Sequence, residues 1–148
     1  MPTHSETKHL PYTAQQMYDL VADVARYPEF LPWCAAARIR SRAPSDTAEV
    51  LEADIVISFK VFRERFGSRV TLWPGILKID TEYLDGPFRY LHSNWQFEPA
   101  EDGGSNVSFF VDFEFRNKVL QGVIGIVFHD AMQRVVRAFE RRAADLYG

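Results

Sequence analysis

The stretch LEADIVISFKVFRERFGSRVTL, residues 51–72, alternates with a period of two on both sides of Lys60-Val61. Leu51, Ala53, Ile55, Ile57 and Phe59 fall on one side, with Glu52, Asp54, Val56 and Ser58 on the other. Beyond the break, Phe62, Glu64, Phe66, Ser68, Val70 and Leu72 alternate with Arg63, Arg65, Gly67, Arg69 and Thr71. A period of two is the signature of a strand with one buried face. The pattern predicts a hairpin tightly connected at Lys60-Val61. It sets Glu52 and Asp54 opposite or diagonal to Arg65 and Arg69 on the outer face. Such cross-strand charge pairs are worth ~0.2–1 kcal/mol each and help to hold register.

Further alternating runs follow at 76–84, 89–98 and 106–115, separated by the turn signals Asp85-Gly86-Pro87 and Asp102-Gly103-Gly104. In the last run Val107, Phe109, Val111, Phe113 and Phe115 face one way, and Ser108, Asp112 and Glu114 the other. From about 118 to 147 the period becomes helical. Phe128, Ala131, Met132, Val135, Phe139 and Leu146 share one face, and Gln133, Arg137, Glu140 and Arg141 cover the opposite one. On the N-terminal side, residues 4–10 read as a short strand. Thr13 and Gln16 then have capping-box spacing ahead of Met17, Leu20, Val21 and Val24. The helix they open ends before Pro28, where Tyr27-Pro28-Glu29-Phe30-Leu31-Pro32-Trp33-Cys34 begins. Two prolines should make that segment stiff, apolar and non-helical.

The order is therefore strand, short helix, proline-bounded segment, about six further strands, long helix. Wrapping a curved antiparallel sheet of six to seven strands around one long helix buries both apolar faces. The expected fold is α+β, of the helix-grip type, in a single domain spanning 1–148, with a cavity between sheet and helix.

Bulk properties narrow the function. Hydrophobic residues make up 47% of the 148-residue chain, enough for one substantial core, so disorder is not expected. A net charge of -3 argues against the strongly basic footprint expected of a nucleic-acid binder, DNA included. Cys34 is the single cysteine, which excludes an internal disulfide and a thiolate metal cluster. The four histidines lack metal-ligand spacing, and no phosphate-binding loop or nucleophile elbow is present. The first residues carry neither a secretory signal nor a transit peptide pattern. The longest nearly apolar run, Val119–Phe128, is ten residues against the ~20 a bilayer span needs. A cytoplasmic protein is expected, peripheral on a bacterial inner membrane at most.

Five stretches carry a family resemblance: YPEFLPWC at 27–34, FRERFGSRV at 62–70, GPFRYLHSNWQFEP at 86–99, VDFEF at 111–115 and AFERRAADLYG at 138–148. Together they resemble the coenzyme Q-binding family of the START-like, helix-grip superfamily, over essentially the whole chain. The resemblance implies a non-catalytic protein whose hydrophobic tunnel binds ubiquinone or a similar isoprenoid quinone, supporting respiratory electron transfer. It also implies a second class, since bacterial members include ribosome association toxins that inhibit subunit joining. Lipid carriage is the leading expectation. The large ribosomal subunit is the alternative partner, and a small cyclase or dehydratase a third reading.

Specific residues follow from these expectations. Tyr27, Phe30, Leu31 and Trp33 line the mouth of a tunnel or plug the barrel end against the helix. Phe66, Trp95, Phe97 and Phe109 line the interior, as tunnel wall or as packed core. Each CH₂ of an isoprenoid chain moved out of water contributes about 0.8 kcal/mol, which makes such a wall a strong binder. Glu64 shares the inward phase with Phe62 and Phe66, where it orients a head group, pairs with an arginine, or turns out at a bulge. Val123, Ile126 and Val127, with Gly122 and Gly125, make the entry to the long helix apolar nearly all round. They form a gate touching a membrane or partner during ligand exchange, or a surface buried under 27–34 or in a dimer. Arg134, Arg137, Arg141 and Arg142 are a solvated helix face, with ribosomal RNA or anionic lipid as the other options. For catalysis, Glu64 with His92 or Tyr83 are the only candidates.

Overall fold

In the computed structural model, which describes residues 3–59 and 62–148, one seven-stranded antiparallel sheet curls around the C-terminal helix. The strands are β1 (Thr3–Leu10), β2 (Cys34–Pro44), β3 (Glu49–Phe59), β4 (Phe62–Trp73), β5 (Lys78–Asp85), β6 (Phe88–Pro99) and β7 (Ser105–Phe115). The helices are α1 (Ala14–Ala22) and α2 (Lys118–Tyr147). Sheet order is β1-β7-β6-β5-β4-β3-β2: hairpin follows hairpin from β2 to β7, and β1 closes beside β7. This is the expected helix-grip architecture.

The hairpin that decided the reading forms in the expected register. Glu52 lies opposite Arg69, and their side chains approach to 3.6 Å. Arg65 bridges Asp54 and Asp85 on the convex face, one strand away on each side. The tight connection expected at Lys60-Val61 lies outside the described residues. Strand bounds shift elsewhere: β5 begins at Lys78 rather than 76, because Leu77 turns into a left-handed conformation (φ 51°) and leaves Ile76 exposed. The Asp85-Gly86-Pro87 turn needs its glycine. Gly86 has φ +135°, and a Cβ there would meet the Phe66 Cβ at 2.7 Å and the Arg65 carbonyl oxygen at 2.9 Å.

At the N-terminal end both halves of the capping box form: the Gln16 amide donates to Thr13 Oγ1 (3.0 Å), and the Thr13 amide to Gln16 Oε1 (2.9 Å). The segment after α1 corrects two expectations. The helix stops at Ala22 instead of running on toward Pro28, and Val24–Glu29 wind into a 3-10 turn that takes Tyr27, Pro28 and Glu29 out of the expected non-helical segment. The fixed φ of proline suits that conformation, and so short a turn forfeits little by lacking the proline N–H. The Tyr27 phenol anchors it by donating to the Val21 carbonyl. The chain then leaves through Trp33 at φ 64°, pinned by the Ser58 amide on the Trp33 carbonyl oxygen (2.8 Å).

The core lies between the concave sheet face and α2. Val107, Phe109, Val111, Phe113 and Phe115 are all buried, as their alternation requires. Along α2 the buried positions are Leu120, Phe128, Ala131, Val136, Ala138, Phe139 and Ala143, whereas Leu146 is half exposed, contrary to the helical projection. In the last helical turn it is Tyr147 that makes the contacts, donating to the Gln16 carbonyl oxygen (3.2 Å) and lying against Tyr12. Phe139 is the hub: its ring packs edge-on against Tyr27 (5.4 Å), Phe30 (5.2 Å) and Trp95 (5.1 Å). It thereby ties α2 to the 3-10 turn and to β6. Phe139→Ala should cost about 3–5 kcal/mol, the usual range for truncating a buried ring. Chemical denaturation monitored by tryptophan fluorescence checks this.

Candidate functional site

Two hollows flank the segment 27–34, and they differ in chemistry. The inner one lies between the sheet and α2, has a volume of about 160 Å³, and is overwhelmingly apolar. Tyr27 and Leu31 wall one end; Phe66, Trp95, Phe109 and Phe139 form the sides. Trp95 packs on Phe109 at 4.3 Å, making one side a continuous aromatic surface. Ligand pockets usually measure ≈ 300–1,000 Å³, whereas a cavity of about 150 Å³ admits a single benzene ring. The space therefore fits one ring and not a polyprenyl chain.

Its floor is not wholly apolar. Ser68 on β4, Thr81 on β5 and Ser93 on β6 occupy inward positions of neighbouring strands and line the cavity. Register places Thr81 directly opposite Ser93, and Ser68 two residues from Val70, the partner of Thr81. Ser68 is fully buried, and its hydroxyl has only the Ala53 carbonyl oxygen, at the long distance of 3.5 Å. The hydroxyls of Thr81 and Ser93 have no partner among the described residues. Ser68 thus has one long contact, while the Thr81 and Ser93 hydroxyls face the cavity with their hydrogen-bonding capacity unused, so the floor has polar groups to offer a ligand. The inward phase of β4, β5 and β6 held this signal, but it shows only when the three strands are set in register.

The outer hollow is a surface groove of about 620 Å³ between Pro28–Pro32 and α2, where Arg134, Arg137 and Arg141 line the helix side. Arg134 is paired with Asp130 (3.1 Å) and Arg142 with Glu29 (2.6 Å). Arg137 and Arg141 have no carboxylate partner among the described residues; Arg137 donates only to the Gln133 carbonyl oxygen, at 3.4 Å. Both also line a second groove with Lys8 and His9, so they form a ridge with open space on either side.

The remaining expected residues distribute as follows. Phe30 packs under Arg142 (5.2 Å from the guanidinium carbon to the ring centroid) and lines the outer groove. Trp33 turns away onto Phe59 (6.0 Å) at the sheet rim. Phe97 is core, stacked parallel to Trp95 and edge-on to Tyr18. Glu64 corrects its expectation. It faces Ile57 in register with no bulge, yet it is exposed. A carboxylate buried against the cavity is therefore not found. Val123, Ile126 and Val127 are exposed (40%, 87% and 38%), joined by Val119 at 74%, and are not covered by the 27–34 segment. The acid–base candidates do not meet. His92 sits on the convex face with Asp80 (2.9 Å), and Tyr83 accepts the Phe88 amide (3.1 Å). One histidine contact went unforeseen: buried His4 lies 3.2 Å from His129, nitrogen to nitrogen, with Glu6 on its other nitrogen at 2.8 Å.

The family model described as polyketide cyclase/dehydrase and lipid transport matches residues 10–140. The chain belongs to this family. A START superfamily protein from Mycobacterium smegmatis has the same fold, with a TM-score of 0.80 at 18% identity, over 97% of this chain and 98% of its own. Among curated relatives, the ribosome association toxin RatA of Rickettsia prowazekii is 42% identical over 99% of both chains. The mitochondrial coenzyme Q-binding protein COQ10 homolog B of Xenopus laevis is 32% identical, over 98% of this chain and 59% of that protein. No helix among the described residues is long and apolar enough to cross a membrane.

Cys34, at the end of the apolar segment 27–34, is not poised for chemistry. Partial burial pushes its thiol up to about 11, only partly offset by its contact with the Ala36 carbonyl. At pH 7 the thiolate is then about one part in ten thousand. Alkylation by iodoacetamide should be slow at neutral pH and accelerate steadily as the pH rises toward 11. A rate that levels off near pH 8–9 would contradict this assignment.

Proposed function

We propose that this protein associates with the ribosome and opposes subunit joining, docking through the arginine ridge of α2. The observation that carries this reading is the pair Arg137 and Arg141: two exposed guanidinium groups without carboxylate partners among the described residues, between two open grooves. Guanidinium groups bind phosphate bidentately, and helix-borne arginines suit an RNA backbone. The overall charge of -3 is no obstacle. On this face Asp130, Glu29 and Glu140 are engaged with Arg134, Arg142 and Lys8, which leaves the ridge locally positive. The 42% identity to a ribosome association toxin supports the same reading, and it displaces lipid carriage from first place.

Sucrose-gradient sedimentation tests it. Added protein should co-sediment with large subunits and shrink the 70S peak when subunits are mixed. Each phosphate contact adds about -0.9 to the slope of log affinity against log salt, so binding should fade as salt rises. Arg137→Glu with Arg141→Glu should lower co-sedimentation at least ten-fold while leaving thermal stability unchanged, since both side chains are exposed. Undiminished binding by that variant would reject the ridge as the docking face.

A second reading, binding of a quinone-type lipid, is favoured by the apolar cavity itself. At about 160 Å³ it would hold a ring while an isoprenoid tail lies outside. In this reading Val123, Ile126 and Val127 are the surface that meets a membrane or partner during exchange. Organic extracts of the purified protein should then show quinone absorbance and a matching mass. Extracts free of lipid, together with unaltered liposome association of Val123→Asp with Ile126→Asp, would remove it.

A further inference from the structure

We infer that the strip Ser68–Thr81–Ser93 is a recognition element, selecting a six-membered ring that carries a carbonyl or phenol oxygen. The inference rests on the second reading, that the inner cavity takes a ligand, and adds which chemical group is read and by which residues. Three observations meet here. The volume of about 160 Å³ matches one ring. The walls Trp95, Phe109 and Phe139 offer aromatic faces and edges for that ring. The floor offers three hydroxyls on three adjacent strands, of which two have no protein partner among the described residues and one has a single long contact.

A hydroxyl both donates and accepts. Thr81 and Ser93, side by side across β5 and β6, would hold one ligand oxygen between them: both donate to a carbonyl, or one accepts from a phenol. Ser68 lies on the diagonal and can shift from its long contact with Ala53 to serve the same oxygen. A carboxylate is not required. Glu64, the one acidic side chain in the inward phase of β4, is exposed, so the site reads a neutral oxygen and not a cation. A hydrocarbon ring of equal size would fill the volume but leave the hydroxyls unpaired.

Calorimetric titration with the isosteric pair p-cresol and p-xylene tests this, using wild type, Thr81→Val with Ser93→Ala, and Thr81→Ser. Thr81→Val conserves volume and removes a hydroxyl that has no partner, so the fold should persist, as circular dichroism will report. Loss of one or two hydrogen bonds should weaken p-cresol about five- to ten-fold in the double variant. Binding of p-xylene should stay equal or tighten, and Thr81→Ser should bind p-cresol like wild type. Equal p-cresol affinity in wild type and double variant would overturn the inference while leaving the cavity reading intact. Parallel weakening of both probes would also overturn it, since that reports lost shape and not lost recognition. Failure of wild type to bind either probe would remove the second reading, and the inference with it.

Discussion

Everything in this structure depends on how the sheet closes onto α2, and that closure is made by aromatic edges. Phe139 meets Tyr27, Phe30 and Trp95 at 5.1–5.4 Å, each nearly edge-on. Edge-to-face pairs of this kind contribute ≈ 0.5–1.5 kcal/mol beyond their buried area. Further along, Phe113 packs on Phe88 and Phe128 in the same edge-on manner, at 5.4 and 5.2 Å. The cavity that Phe139 helps to line is small.

Size is what rearranges the functional argument. A tunnel holding an entire polyprenyl chain would make lipid transport the natural reading of the fold. One ring's worth of space supports only the head of such a molecule. The surface groove, by contrast, is about four times larger, and arginines line its helix side. The two curated relatives divide in the same way, one named for the ribosome and the other for coenzyme Q. Both hollows belong to the same segment. Leu31 lines each of them, so a single side chain separates the apolar interior from the charged exterior.

Much of the fold was legible because its signals are local. The period of two across 51–72 set the hairpin and its Glu52–Arg69 pairing, and Thr13 with Gln16 marked where the first helix starts, though not where it ends. What failed depended on what lies opposite an element. Glu64 has the phase of a buried residue in β4 yet is exposed, and Leu146 has the phase of the buried helix face yet is half exposed. Periodicity reports which way a side chain points, not whether anything stands in front of it. The hydroxyl strip went unseen for a related reason. Ser68, Thr81 and Ser93 are each unremarkable in their own strands, and only inter-strand register makes them neighbours.

The same geometry determines which positions can separate the two functional readings. Tyr27, Phe30, Leu31 and Phe139 bind the closure together, so substituting any of them disturbs both hollows and the fold at once. Arg137 and Arg141 border only outer grooves, whereas Thr81 and Ser93 border only the cavity. Neither pair has a partner whose loss would propagate, because the arginines lack carboxylates and the hydroxyls lack acceptors among the described residues. Substitutions there change one surface at a time. The two proposed roles, ribosome attachment and ring binding, are therefore separable by mutation even though they share a wall.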